Sequence, residues 1–172
     1  LRDGKVPVLG GYIGATTAGI TTTLGRGGSD YSAALLGAAL DAEAIEVWTD
    51  VDGMLTADPR VIPEARLIEH IRFDEAAELA SFGAKVLHPS TIAPAVQRNI
   101  PVFIYNSHRP QANGTRITFD APRLAVRAIA GRANVVLVNV KSNRMLGSPG
   151  VVRAIFSVFE RISVLAPVEI DT

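Results

Sequence analysis

Apolar positions along the chain fall into short runs divided by polar and glycine-rich stretches. Val6 to Leu9, Ile45 to Thr49 and Pro101 to Tyr105 are rich in β-branched and aromatic residues and end at Gly10-Gly11, Asp50 and Asn106. That pattern predicts three buried strands with polar groups at their carboxyl ends. Between the first two, Ser29 to Leu40 is rich in Ala and Leu and apolar on most faces, as in a helix packed inside a layered fold, with Ser29 or Asp30 as its cap. Phe73 to Ser81 and Thr91 to Arg98 have helical composition, and the first opens on Asp74 and Glu75, acids favoured at a helix amino terminus, and ends near Gly83. Strands alternating with helices predict an α/β domain with a largely parallel sheet, in which ligands gather outside the carboxyl ends of the strands.

The pattern changes between Asn106 and Pro122, where Pro, Gly, Asn and Ser accumulate around one short strand-like stretch, Thr115 to Phe119. A domain boundary is expected at about Pro122, dividing the chain into 1–122 and 123–172. Beyond it, Val126 to Ala130, Val135 to Val140 and Ser163 to Ile170 have strand character. Pro149 to Arg161 has the spacing of an amphipathic helix, with Val152, Ile155, Phe156 and Phe159 on one face. A unit of that size and order is half of a small regulatory module.

Composition narrows the functional classes. The 172 residues carry 17 basic and 17 acidic side chains, and this zero balance without basic runs argues against a nucleic-acid partner and favours small ligands. With 48% apolar residues the chain has material for a core, and the absence of cysteine excludes disulfides and thiolate metal sites and fits a cytoplasmic protein. No apolar stretch approaches the roughly 20 residues that cross a bilayer, so no membrane partner is expected. The chain begins at Leu1 without an initiating Met, and we expect it to be a piece of a longer protein.

The densest chemistry lies in Thr21 to Asp30, where hydroxyls, three glycines, one cation and one anion precede a helix. Glycines let a backbone approach an anion closely, and the first helical N–H groups have no partners of their own. Arg26 adds a planar fork for a carboxylate, and Asp30 accepts from an ammonium group or helps order a metal-bound phosphate. Taken alone, the segment is better read as a tight turn with a capped helix and a surface Arg. It is neither a P-loop nor a dinucleotide fingerprint. Thr49-Asp50 and Asp58-Pro59-Arg60, taken alone, are ordinary turn sequences.

The segments together carry more. Thr-Thr-Thr-Leu-Gly-Arg-Gly-Gly-Ser-Asp-Tyr (21–31) closely resembles a signature of the aspartate kinases, members of the amino acid kinase superfamily. Val47-Trp48-Thr49-Asp50-Val51-Asp52-Gly53 with Thr56-Ala57-Asp58-Pro59-Arg60, then Glu75-Ala76-Ala77-Glu78-Leu79, then Ser81 to Pro89 agree in order and spacing. The resemblance covers roughly residues 8 to 160. It implies the carboxyl-terminal part of an amino acid kinase fold, a largely parallel sheet with flanking helices, followed by a partial ACT-like α+β domain.

It also implies transfer of a phosphoryl group from ATP, with Mg, to the side-chain carboxylate of L-aspartate. On that resemblance Arg26 binds substrate carboxylate and Asp30 holds its amino group, both as catalytic residues, while Gly27, Gly28 and Ser29 shape the cradle. Thr49, Asp50, Leu55, Arg60, Lys85 and Val86 line the nucleotide, with Leu55 standing where many members have Tyr. His88 is expected to be structural. The family's amino-terminal Lys-Phe-Gly-Gly loop is absent here, so this chain alone is expected to have little or no kinase activity. Val135 to Val140 with Asn143 to Gly150 resembles the start of an ACT domain, which implies feedback by lysine or threonine, effector contacts at Met145 and Ser148, and a homodimer or higher homo-oligomer through ACT domains. The spacing across Arg161-Ile162-Ser163 departs from the family, which usually has a few more residues there. Two rival functions stay open: a non-catalytic amino-acid-sensing regulatory subunit, and a related kinase such as a glutamate 5-kinase or uridylate kinase.

Overall fold

The computed structural model describes residues 4–82, 86–87, 92–131 and 150–161, without the side chains of Val151 and Val152. The chain divides into two compact units, Leu1–Ala133 and Asn134–Thr172.

The first unit opens with residues 4–10 in irregular extended backbone, not in the strand expected at Val6 to Leu9. Val6 is 85% and Val8 93% exposed, and no described strand lies beside them to take up their backbone hydrogen bonds. The first ladder instead is a hairpin of β1 (Ile13–Ala15) and β2 (Thr21–Thr23), closed where Thr16 and Gly19 exchange backbone bonds with the turn. The chain then turns directly into α1 (Gly28–Leu40), whose capping residue is Gly27 in left-handed backbone and not Ser29 or Asp30, which lie inside the first turn. At φ +71° a side chain would be strained, and glycine adopts that geometry at little cost.

A link of four residues reverses the chain from α1 into β3 (Ile45–Thr49). Gly37 makes this packing close, since a Cβ there would sit 2.7 Å from the Ile45 side chain. Next come β4 (His70–Arg72), α2 (Phe73–Ser81), α3 (Ala93–Arg98), β5 (Val102–Asn106) and β6 (Thr115–Thr118). α2 has the expected bounds, and Arg72 N–H donates to Glu75 at 3.1 Å across its first turn. α3 is shorter than expected, with Pro94 in its first turn.

The four-stranded sheet has the order β3-β5-β6-β4. β3 pairs parallel with β5 and β4 with β6, while β5 and β6 run antiparallel, so the sheet is mixed, with two of its three pairings parallel as expected. The short return from Asn106 to Thr115 contains no crossover helix, and only an antiparallel neighbour is reachable that way. Alternation in β5 buries Val102, Ile104 and Asn106 and leaves Phe103 and Tyr105 half-buried. Val102 and Ile104 join Ile45, Met54, Ile68, Ile71, Phe73, Ile100 and Ile117 in one core.

The first unit continues past the compositional break at Pro122. Arg127 pairs with Glu75 at 2.9 Å and donates to the His70 and Pro122 carbonyls, and Ile129 N–H donates to the Thr56 carbonyl. The expected strand at Val126 to Ala130 does not form, because these single bridges hold the segment where a ladder would be needed. In the second unit the described element is α4 (Gly150–Arg161). Ile155 and Phe159 are half-buried, Phe156 is exposed, and the expected strands at 135–140 and 163–170 lie outside the described residues.

Candidate functional site

Two clusters in the first unit hold most of the nominated residues that the structure describes. The first is the turn between β2 and α1. Gly25 and Gly27 both have positive φ, and a Cβ on buried Gly28 would sit 2.9 Å from Leu24 Cβ and 3.0 Å from the Tyr12 ring. Ser32 fastens the turn from inside the helix: its hydroxyl donates to the Gly28 carbonyl at 2.9 Å and accepts from Tyr12 N–H at 3.2 Å. No side chain caps the helix, so its first turn keeps donors that an anion accepts.

Arg26 is exposed and has no ion pair among the described residues. Asp30 is half-buried in the first turn of α1, and burial raises its carboxyl above the ordinary value of 3.8. A half-buried acid without a cation favours a ligand that brings one. The turn therefore presents a guanidinium and a carboxylate a short distance apart in sequence, the complement of a zwitterion.

The second cluster lies at the carboxyl ends of the parallel pair β3 and β5, where Thr49 faces Asn106 in register. The Thr49 carbonyl accepts from Ser107 N–H at 2.8 Å and from the Ser107 hydroxyl at 2.9 Å, and the Thr49 hydroxyl donates to Asp50 at 3.3 Å. Because α1 reverses into β3 and packs against it, the amino end of α1 and the carboxyl end of β3 fall on the same side of the sheet. The loop after Asp50 folds back on itself: Leu55 bridges Leu67, Thr56 N–H donates to the Arg66 carbonyl, and Ile68 N–H to the Met54 carbonyl.

Arg60 stands away from this ladder, exposed, with its guanidinium forked onto Asp58 at 2.6 to 3.2 Å. That guanidinium holds the Asp58 carboxyl at about 2. Asp58 fixes the turn as well by accepting from Arg60 N–H at 2.9 Å. Val86 is half-buried and packs against the core, while Lys85, His88, Met145 and Ser148 lie outside the described residues.

Sequence reasoning missed four members of the strand-end cluster. Asp52 accepts from Asn106 at 2.7 Å and pairs with Arg109, and Ser107 clasps the end of β3. The available signal was position: polar residues directly after a buried apolar run. A shallow groove of about 390 Å³ between α1 and α3, lined by Tyr31, Leu35, Ala38, Pro94, Gln97 and Arg98, contains none of the nominated residues. Among the described residues no three acidic or histidine side chains gather to hold a metal, and no helix is long and apolar enough to cross a membrane.

Comparison with known proteins gives the same direction. The amino acid kinase family profile matches residues 1–106. The chain is 49% identical to the lysine-sensitive aspartokinase 3 of Escherichia coli (strain K12) over 164 residues, which is 94% of this chain and 36% of that protein. It is 44% identical to the chloroplastic aspartokinase 1 of Arabidopsis thaliana over 167 residues, 95% of this chain and 29% of that protein. Among solved structures it resembles E. coli aspartokinase III in complex with aspartate and ADP (R-state), with a TM-score of 0.71 and 40% identity over 94% of this chain and 36% of the other. The same enzyme in complex with lysine and aspartate (T-state) gives a TM-score of 0.64 at 41% identity, again over 94% of this chain and 37% of the other. The chain thus spans about a third of the length of these relatives.

Proposed function

The chain belongs to the amino acid kinase family, and from that premise we propose that it supplies one side of the active site of an aspartate kinase, which transfers the γ-phosphoryl group of ATP to the side-chain carboxylate of L-aspartate. The observation that carries this reading is the pairing of exposed Arg26 with half-buried Asp30 across a glycine turn, on the side of the sheet where β3 and β5 end in Thr49, Asp50 and Asn106. The two E. coli aspartokinase III complexes support it, since their ligands are aspartate with ADP and aspartate with lysine.

In this reading Arg26 takes the substrate's α-carboxylate in a bidentate grip, and Asp30 takes its ammonium. The side-chain carboxylate is thereby aimed at the phosphates, and positioning of this kind lowers the barrier by fixing reactants that would otherwise meet at random. Gly27 and Gly28 shape the cradle: Gly27 takes the left-handed backbone of the turn, and Gly28 lets the start of α1 close against Leu24 and Tyr12, where a Cβ would collide. Thr49, Asp50, Leu55, Val86 and Lys85 line the nucleotide. Arg60 reaches its phosphates by leaving Asp58, a small loss for a surface pair. Magnesium neutralises phosphate charge when bound. Asp50 and Asp30 are the carboxylates that would help hold it on the nucleotide.

The second unit, with α4, belongs in this reading to an ACT regulatory domain that binds lysine or threonine and joins copies of the protein. Met145 and Ser148 are its proposed effector contacts.

A chimera tests the catalytic reading: residues 1–172 replace the matching segment of the E. coli lysine-sensitive aspartokinase 3, and ADP release is followed with aspartate and with glutamate. Turnover with aspartate well above that with glutamate is expected. A folded chimera that turns over neither, or both equally, refutes the proposal.

A further inference from the structure

The loop that leaves β3 is fastened at two points on either side of Gly53. On the far side, Met54 N–H donates to the buried Thr115 hydroxyl at 2.9 Å, and that hydroxyl donates to the Ile68 carbonyl at 2.7 Å. Gly53 itself has φ +141°, and a Cβ there would sit 2.3 Å from the Thr115 hydroxyl, so the backbone has one way through. On the near side, the Asp52 carboxylate accepts from the Asn106 side-chain amide at 2.7 Å and from Arg109.

Asn106 is suited to hold a carboxylate. It is 6% exposed, it ends β5 opposite Thr49, and its own carbonyl oxygen accepts from His108 N–H at 2.9 Å, which turns its amide N–H₂ toward Asp52. One oxygen of Asp52 is therefore committed to a buried neutral donor and the other to an exposed cation. Both oxygens are thus engaged within the fold. Asp50 is different: its carboxylate is exposed and, among the described residues, accepts from the neighbouring Thr49 hydroxyl alone.

We infer that Asp52 is a positioning residue: held by Asn106 and Arg109, it fixes the path of the 50–60 loop and so sets the affinity of the strand-end site for a nucleotide phosphate group. This rests on the nucleotide reading of that site. Asp50 and Leu55 flank the two fastened residues, so freeing Asp52 lets both drift from the strand ends while the core below, held through Met54 and Thr115, stays packed.

The test is isothermal titration of the 172-residue chain with MgADP, with urea unfolding measured on each variant. Asp52→Ala is expected to weaken binding by about tenfold. Asn106→Asp, which sets two carboxylates face to face, is expected to do the same. The exchanged pair Asp52→Asn with Asn106→Asp restores the donor and acceptor in reverse order and is expected to return affinity to within about threefold of the parent. A purely structural residue would lower affinity no further than its drop in the urea midpoint accounts for, whereas this account has affinity lost and regained beyond any shift of the midpoint. Unchanged affinity in Asp52→Ala overturns the inference. So does an exchanged pair that folds like the parent yet binds as poorly as the single variants, and it remains decisive if Asp52→Ala itself does not fold. No saturable binding by the parent chain is a separate result: it removes the nucleotide reading and this inference with it.

Discussion

Asp30 shows how one residue carries a stability effect beside its proposed role in binding substrate. Burial holds its carboxyl above 3.8, so the folded chain binds that proton more tightly than the unfolded chain does. The resulting stability is fully present below 3.8 and is lost as pH rises through the raised value. Asp30→Asn removes the titration. In urea unfolding at a series of pH values, the parent should lose stability from about pH 4 upward and the variant should show a flatter profile, as stable as the parent or more so at neutral pH. The same variant should lose aspartate turnover in the chimera, separating a residue kept for its ligand from one kept for the fold. Sequence alone nominated Arg26 and Asp30 together chiefly through their place in an extended motif, since an isolated Gly-rich turn has the same composition. The contact between Asp52 and Asn106 was not legible, because 54 positions separate them and only the parallel register of β3 with β5 brings them together.

At the scale of elements, close approach decides where substitutions hurt. Gly37 on α1 lies against Ile45 of β3, where a Cβ would come within 2.7 Å of two side-chain atoms. Gly37→Ala should therefore destabilise by about 1–3 kcal/mol through overpacking, against a small gain from helix propensity, and a shifted urea midpoint will report it. Gly27→Ala acts differently. Its backbone sits at φ +71° outside the helix, so the expected cost is about 1–2 kcal/mol of backbone strain, with loss of aspartate affinity as the turn relaxes. Helices were the most legible elements: α1 begins one residue before its expected start, and α2 matches at both ends. Strands were less so. Val6 to Leu9 has the composition of a buried strand, yet composition cannot supply the neighbour whose hydrogen bonds make one, and Val126 to Ala130 fails for the same reason.

For the molecule as a whole, the distribution of exposed apolar residues is the main departure from a self-sufficient domain. Val6, Val8, Leu9, Ile13 and Ile20 are all more than 60% exposed, and α1 adds Leu35, Leu36 and Leu40 on a helix that is apolar around most of its surface. Leu36→Lys with Leu40→Glu should raise the concentration at which the isolated 172-residue chain stays monomeric in sedimentation, with little change in its urea midpoint. The α/β class followed from element alternation, but the mixed sheet did not, because β6 returns beside β5 without a helix and its direction depends on a loop whose composition says only that it turns. The central claim concerns chemistry, and hydroxylamine trapping in the chimera addresses it most directly, because an acyl phosphate is captured as a hydroxamate while hydrolysis of ATP is not. The account predicts ATP-dependent hydroxamate from aspartate, and a loss of about a hundredfold or more in Arg26→Ala, where a charged bidentate contact disappears. Hydroxamate formation that is undiminished in Arg26→Ala, or absent from a folded chimera, would contradict it.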